Sequence, residues 1–196
     1  MKKLLARLLL RLTGWRRGGA PPALPRYVLI AAPHTSNWDA VYLLAFGAVH
    51  GVEISWLMKQ EHFRWPLGPL FRALGGIPVD RGARRDLVAH LAGQFAELER
   101  LVVVVPPEGT RRRAEYWKSG FFHIARQARV PIVCSFLDYE RRVGGFGPVL
   151  DPMDGVVAVM DACRDFYADK RGRFPDQFGP VALLDEADEE LRAAAP

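Results

Sequence analysis

The stretch Pro33-His34-Thr35-Ser36-Asn37-Trp38-Asp39 sets a group of polar and aromatic side chains between two apolar runs, 27–32 and 41–49. A histidine followed five positions later by an aspartate can form a working couple. The carboxylate accepts one imidazole N–H and leaves the other ring nitrogen able to take a proton, which is what a general base requires. The same residues can also start a helix, because Ser36 with Asp39 three positions on is a capping-box pattern ahead of an apolar run. Capping accounts for Ser36 and part of Asp39. It leaves His34 standing in a strand-to-helix turn, where the positive end of the helix's aligned peptides suits a neutral imidazole.

Two more polar knots follow apolar strands. Leu101–Val105 opens on Pro106, Pro107, Glu108, Gly109, Thr110 and Arg111. Gly109 lets the backbone turn tightly, and Arg111 can fork onto a phosphate or a carboxylate. The segment Gly75-Gly76-Ile77-Pro78-Val79-Asp80-Arg81 presents an acid and an arginine at the end of a short strand. Taken singly, the first knot also reads as a solvated basic loop and Arg81 as a surface arginine.

The elements that must position these residues alternate. Strands are predicted at 27–32, 53–58, 77–80, 101–105 and 131–139, and helices at 37–50, 86–100, 117–128 and 154–169. Short helices and turns fill 63–76, and a loop or short hairpin fills 144–152. The unbroken β-branched run 101–105 is of the kind buried on both faces of a sheet. Such alternation predicts an α/β fold: one domain with a mostly parallel, mixed sheet flanked by helices. At 196 residues the chain is long enough for one full core. Cys134 and Cys163 sit inside apolar patterns and read as reduced core thiols.

The first residues differ from the rest. Leu4, Leu5, Leu8, Leu9 and Leu12 share one side of a helix, and Lys3, Arg7 and Arg11 form a row on another. Residues 1–17 therefore read as an amphipathic membrane-interface helix, with packing on the domain's own core as the other reading. The glycines and prolines of 18–25 read as a linker, and 26–196 as the domain. A formal charge of +5 suggests an anionic partner. Nucleic acid is disfavoured, since the arginines flank strand-end glycines and carboxylates and form no aromatic-interleaved stripe.

Together, His34-x4-Asp39, GGIPVDR (75–81), PEGTR (107–111) and VPIV (130–133) resemble, in order and spacing, the glycerolipid acyltransferases of the 1-acylglycerol-3-phosphate acyltransferase type. The resemblance covers about residues 26–140. It implies that His34 is the general base and Asp39 its orienting partner, with direct attack of an acceptor hydroxyl on an acyl thioester and no covalent acyl-enzyme. It implies that Arg81, Glu108, Gly109, Thr110 and Arg111 hold the acceptor, particularly its phosphate, and that Lys59 lies near the same pocket. It further implies no cofactor and no metal, acyl-CoA or acyl carrier protein as co-substrate, and a lysophospholipid acceptor. The enzyme would sit peripherally or monotopically on the anionic cytoplasmic face of the cell membrane.

Pro106 and Arg112 stand where the family has Phe and Ser, and the run Tyr116–Gly120 is unusually aromatic. These departures leave a non-glycerophosphate lipid acceptor open. Two further readings also stand: a thioester or ester hydrolase, in which His34 activates water, and a non-catalytic module that binds anionic lipid.

Overall fold

The computed structural model describes residues 1–79, 84–184, 186 and 188, with backbone alone at Lys59 and 84–86. In chain order the elements are α1 (Lys2–Leu12), β1 (Arg16–Gly18), β2 (Arg26–Ala31), α2 (Trp38–His50) and β3 (Ile54–Lys59). Then come α3 (Gly68–Ala73), β4 (Gly76–Val79), α4 (Arg84–Glu97) and β5 (Leu101–Val105). The chain continues through α5 (Gly120–Ala128), β6 (Ile132–Asp138), β7 (Val143–Leu150) and α6 (Val156–Tyr167). The strands form one sheet in the order β1-β7-β6-β2-β5-β3-β4. The β6–β7 pair is antiparallel and every other pair is parallel. This is the single-domain α/β architecture that the alternation of elements predicts.

Both faces of the sheet are covered, which explains the unbroken apolar character of β2 and β5. Along β2, Val28 and Ile30 point into a core shared with Leu91 and Phe95 of α4, Phe121 and Phe122 of α5 and Met160 of α6. Tyr27 and Leu29 point the other way, toward Leu43 and Leu44 of α2 and Ile54 of β3. Each fully buried side chain of this size contributes about 1.5–3 kcal/mol. Cys134 and Cys163 are free and buried in the first core, with their sulfurs 3.9 Å apart.

The amino-terminal region differs from its sequence reading. The helix stops at Leu12 rather than near residue 17, and the stretch expected as linker begins inside the sheet. Arg16–Gly18 pairs in parallel with Val143–Gly145 of β7. The glycines are there for close approach: a Cβ on Gly145 would stand 1.4 Å from the Gly18 carbonyl oxygen, and one on Gly19 would stand 1.9 Å from that of Phe146. α1 lies against α2 and divides its own leucines. Leu10 and Ala6 are buried with Trp15, Tyr42 and Phe46, while Leu4, Leu5, Leu8 and Leu12 are exposed.

Two other boundaries shift. The helix predicted from 117 starts at Gly120, because Trp117 and Lys118 spend their backbone N–H groups on Ala182 and Pro107 carbonyls, at 2.7 and 2.8 Å. The segment 144–152, read as a loop or short hairpin, is mostly the long strand β7, which pairs antiparallel with β6 and parallel with β1.

Candidate active site

Strands β5, β2 and β6 are neighbours and parallel, with Ile30 level with Val105 and Ala31 level with Ser135. Their carboxyl ends therefore open at one edge, where sites gather in sheets of this kind. β2 delivers His34 in the turn before α2, β5 delivers Glu108, and β6 delivers Tyr139. Three residues far apart in sequence meet because three strand ends do.

His34 and Asp39 form the couple that their spacing suggested. His34 Nδ1 lies 3.2 Å from Asp39 Oδ2, with the imidazole partly exposed and the carboxylate buried. The backbone N–H groups of Thr35 and Ser36 donate to the same Oδ2, each at 2.8 Å. Asp39 thus reaches back across the turn, as the acidic member of a capping box does. Ser36 departs from the pattern slightly: its hydroxyl accepts from Trp38 N–H at 3.2 Å, and Asp39 N–H goes to the Ser36 carbonyl at 3.3 Å. Tyr139 O–H donates to the second carboxylate oxygen, Oδ1, at 2.6 Å.

Glu108 closes the opposite side. Its Oε1 accepts from His34 backbone N–H at 2.9 Å, and it is only 3% exposed. Burial pushes its carboxyl up from 4.5 to about 7, with the His34 N–H and ring opposing the rise and the Asp39 charge adding to it. Among the described residues its Oε2 has no hydrogen-bond partner, which agrees with a carboxyl that resists ionising. Burial, together with the bond to Asp39, also raises Tyr139 far above the ordinary phenol value, so it is a donor at every working pH.

The rest of the 106–111 loop is arranged around this pair of acids. Gly109 adopts φ 66°, the left-handed backbone its position requires, and a methyl group there would stand 2.7 Å from Lys118 Nζ. Thr110 is exposed, and its hydroxyl accepts from Arg112 N–H at 3.2 Å. The Arg111 guanidinium donates to Asn37 Oδ1 and so ties this loop to the start of α2. Arg113 reaches the Phe178 carbonyl at 3.0 Å, and Phe174 N–H donates to the Thr35 hydroxyl at 3.2 Å. The chain beyond α6 therefore lies over the turn that holds His34.

The structure brings Asp39 to the ring and Glu108 to the backbone N–H of His34, and it ties the Arg111 side chain to Asn37 in the same turn. Lys59 is the last residue of β3, and its side chain lies outside the described residues; Arg81 lies outside them entirely. Sequence reading missed Tyr139, Lys118 and Phe174. The signal for Tyr139 was its position, the last residue of the core strand predicted at 131–139, at the edge where sites gather. Among the described residues no group of three or more His, Cys, Asp or Glu is placed to hold a metal ion.

The acyltransferase family matches the chain over residues 22–137, a span that includes the His34 turn and the 106–111 loop and stops one residue short of the end of β6. Among solved structures, the chain is similar to PlsC, the 1-acyl-sn-glycerophosphate (LPA) acyltransferase of Thermotoga maritima. The TM-score is 0.58 at 14% identity, over 88% of this chain and 80% of that one, a likeness of fold. No curated protein sequence matches it.

Proposed function

From the premise that this chain belongs to the acyltransferase family, we propose that it moves a fatty acyl group from an acyl thioester to the hydroxyl of a lysophospholipid or glycerol-phosphate-like acceptor. The observation that carries this reading is the couple itself: an imidazole 3.2 Å from a buried carboxylate that two backbone N–H groups hold in place. With Nδ1–H donating to Asp39, His34 keeps the lone pair of Nε2 for the acceptor hydroxyl. His34 takes that proton as the hydroxyl oxygen attacks the thioester carbonyl, and Asp39 stabilises the imidazolium that forms. The C–S bond then breaks and the thiolate leaves, taking the proton back from His34. A thioester has a good leaving group, so positioning and one base suffice for a direct transfer without an acyl-enzyme.

Arg111 and Arg81 are the acceptor's phosphate ligands in this proposal, with Lys59 near the same pocket and Glu108, Gly109 and Thr110 shaping the loop. Planar guanidinium groups suit bidentate phosphate contacts. The exposed leucines of α1, alternating with Lys3, Arg7 and Arg11, support docking on an anionic membrane surface, where such an acceptor resides. No helix among the described residues is long and apolar enough to cross a membrane.

The test is release of free thiol from acyl-CoA, with and without lysophospholipid, by the protein and by His34→Ala. Mass spectrometry of the products identifies the acceptor. Transfer should need the acceptor and should fall about 10²–10⁴-fold in the variant, the range that a general base supplies. Full activity of His34→Ala refutes the proposed base, and thiol release indifferent to the acceptor makes the protein a hydrolase.

A further inference from the structure

The carboxylate of Asp39 has two oxygens with different company. Oδ2 faces His34 and takes the N–H groups of Thr35 and Ser36. Oδ1 faces away from the turn and receives the Tyr139 phenol at 2.6 Å, from a residue 100 positions along the chain. A carboxylate held at one oxygen can still rotate about its own bond and swing Oδ2 away from the imidazole. A second donor on the other oxygen removes that freedom. Charge-assisted O–H···O bonds of this length are the strong ones.

Tyr139, half-buried, is itself held at its backbone and its ring. Its backbone N–H donates to the Arg171 carbonyl at 2.9 Å. The turn that follows is fixed by Asp138, whose Oδ1 accepts from Glu140 and Arg141 N–H groups, both at 3.1 Å, and whose Oδ2 pairs with the Arg141 guanidinium at 2.6 Å. The Tyr139 ring stands nearly perpendicular to those of Trp15 and Tyr42, with centroids 4.9 and 6.0 Å away. Trp15 is buried between the end of α1 and β1. The residue behind Asp39 is therefore clamped by the amino-terminal segment on one side and the β6–β7 turn on the other.

We propose that Tyr139 is a positioning residue for acyl transfer: its hydroxyl, braced by Trp15 and Tyr42, sets the carboxylate of Asp39 so that Oδ2 stays on His34. The proposal rests on the reading of His34 as base, and it assigns Tyr139 no contact with substrate. Its consequence is confined to the step in which His34 becomes charged, because Asp39 is needed most when the imidazolium forms. An interaction of that kind lowers kcat without changing substrate affinity.

The test compares the full chain with Tyr139→Phe, Asp39→Asn, the double variant and His34→Ala, using acyl-CoA and the acceptor found above. Tyr139→Phe keeps the ring on Trp15, and circular dichroism with thermal melting checks that it is folded. The expected result is a fall in kcat of about tenfold with KM within twofold, and no further fall when the substitution is added to Asp39→Asn. Two results overturn the proposal: unchanged kcat in Tyr139→Phe, or an equal loss from that substitution with and without Asp39. Activity that survives in His34→Ala sinks the underlying reading instead. An inactive His34→Ala beside a fully active Tyr139→Phe sinks this inference alone.

Discussion

Replacing Glu108 by Gln should change how stability depends on pH, and the structure sets both sign and size. In the folded chain the carboxyl is raised from 4.5 to about 7, chiefly because burial penalises its charged form. Between those two values the folded state still binds a proton that the unfolded chain has released. Stability must then fall as pH rises across that window and level off above about 7. The full cost of holding the ionised form at high pH is about 3 kcal/mol. The side-chain amide of Glu108→Gln cannot ionise, yet its carbonyl can still accept the His34 N–H that Glu108 accepts at 2.9 Å. The variant should match the parent near pH 4.5 and exceed it at pH 8 by an amount on the order of 3 kcal/mol. Urea unfolding followed by tryptophan fluorescence at several pH values between 4.5 and 8 measures the difference, with other titrating groups cancelling between the two proteins. A gap that is the same at pH 4.5 and pH 8 would refute the reasoning, and so would one that shrinks as pH rises.

Two further substitutions test the parts of the fold that hold the site. Gly145→Ala drives a methyl group to 1.4 Å from the Gly18 carbonyl, so β1 must shift off β7; a loss of about 1–3 kcal/mol in urea unfolding is expected, and unchanged stability would show that the edge pairing is dispensable. Leu4, Leu5, Leu8 and Leu12 are all more than half exposed, so changing the four to Ser should leave the melting temperature nearly unchanged while sharply lowering sedimentation with anionic vesicles. Vesicle binding equal to the parent's would remove α1 from the membrane surface.

The central strands were legible because they carry dense local signals: β-branched runs for β2, β5 and β6, and Gly51 in the left-handed conformation closing α2. His34 and Asp39 were legible as candidates because both lie in one turn, where five positions of spacing let the carboxylate reach the ring, and because the other motif blocks accompany them. What escaped notice was long-range. β1 is Arg-Arg-Gly, three residues without apolar alternation, and it exists only because β7 offers a matching glycine 127 positions away in its register, Gly18 against Gly145. In the sequence those glycines look like punctuation. In the sheet they are the only residues small enough for the approach. Trp117 failed as a helix start for the same kind of reason: its N–H is claimed by Ala182, a partner that no local pattern announces. Tyr139 was visible as the end of a strand but not as a partner of Asp39, since parallel register, and not spacing, brings them together.

The position of Asp39 explains why a helix start and the proposed catalytic couple can share one residue without conflict. Capping needs a carboxylate near the first turn of α2, where its charge meets the positive end of the helix and otherwise unpaired N–H groups. Orienting an imidazole needs the same carboxylate buried, ionised and unable to rotate. The Thr35 and Ser36 N–H groups meet both demands at once on Oδ2, and they belong to the very turn that carries His34. Any fraying of that turn would move imidazole and carboxylate together with the helix end. The turn's own N–H groups are engaged elsewhere: those of Thr35 and Ser36 on Oδ2, that of His34 on Glu108, and those of Trp38 and Asp39 on the Ser36 hydroxyl and carbonyl. The donor to Oδ1 comes from a different strand, and β6, lying beside β2 and running past it to Asp138, is the neighbour whose next residue arrives there. The cap is thus a local invention of the sequence, while the fixed orientation of the couple depends on the order of strands in the sheet.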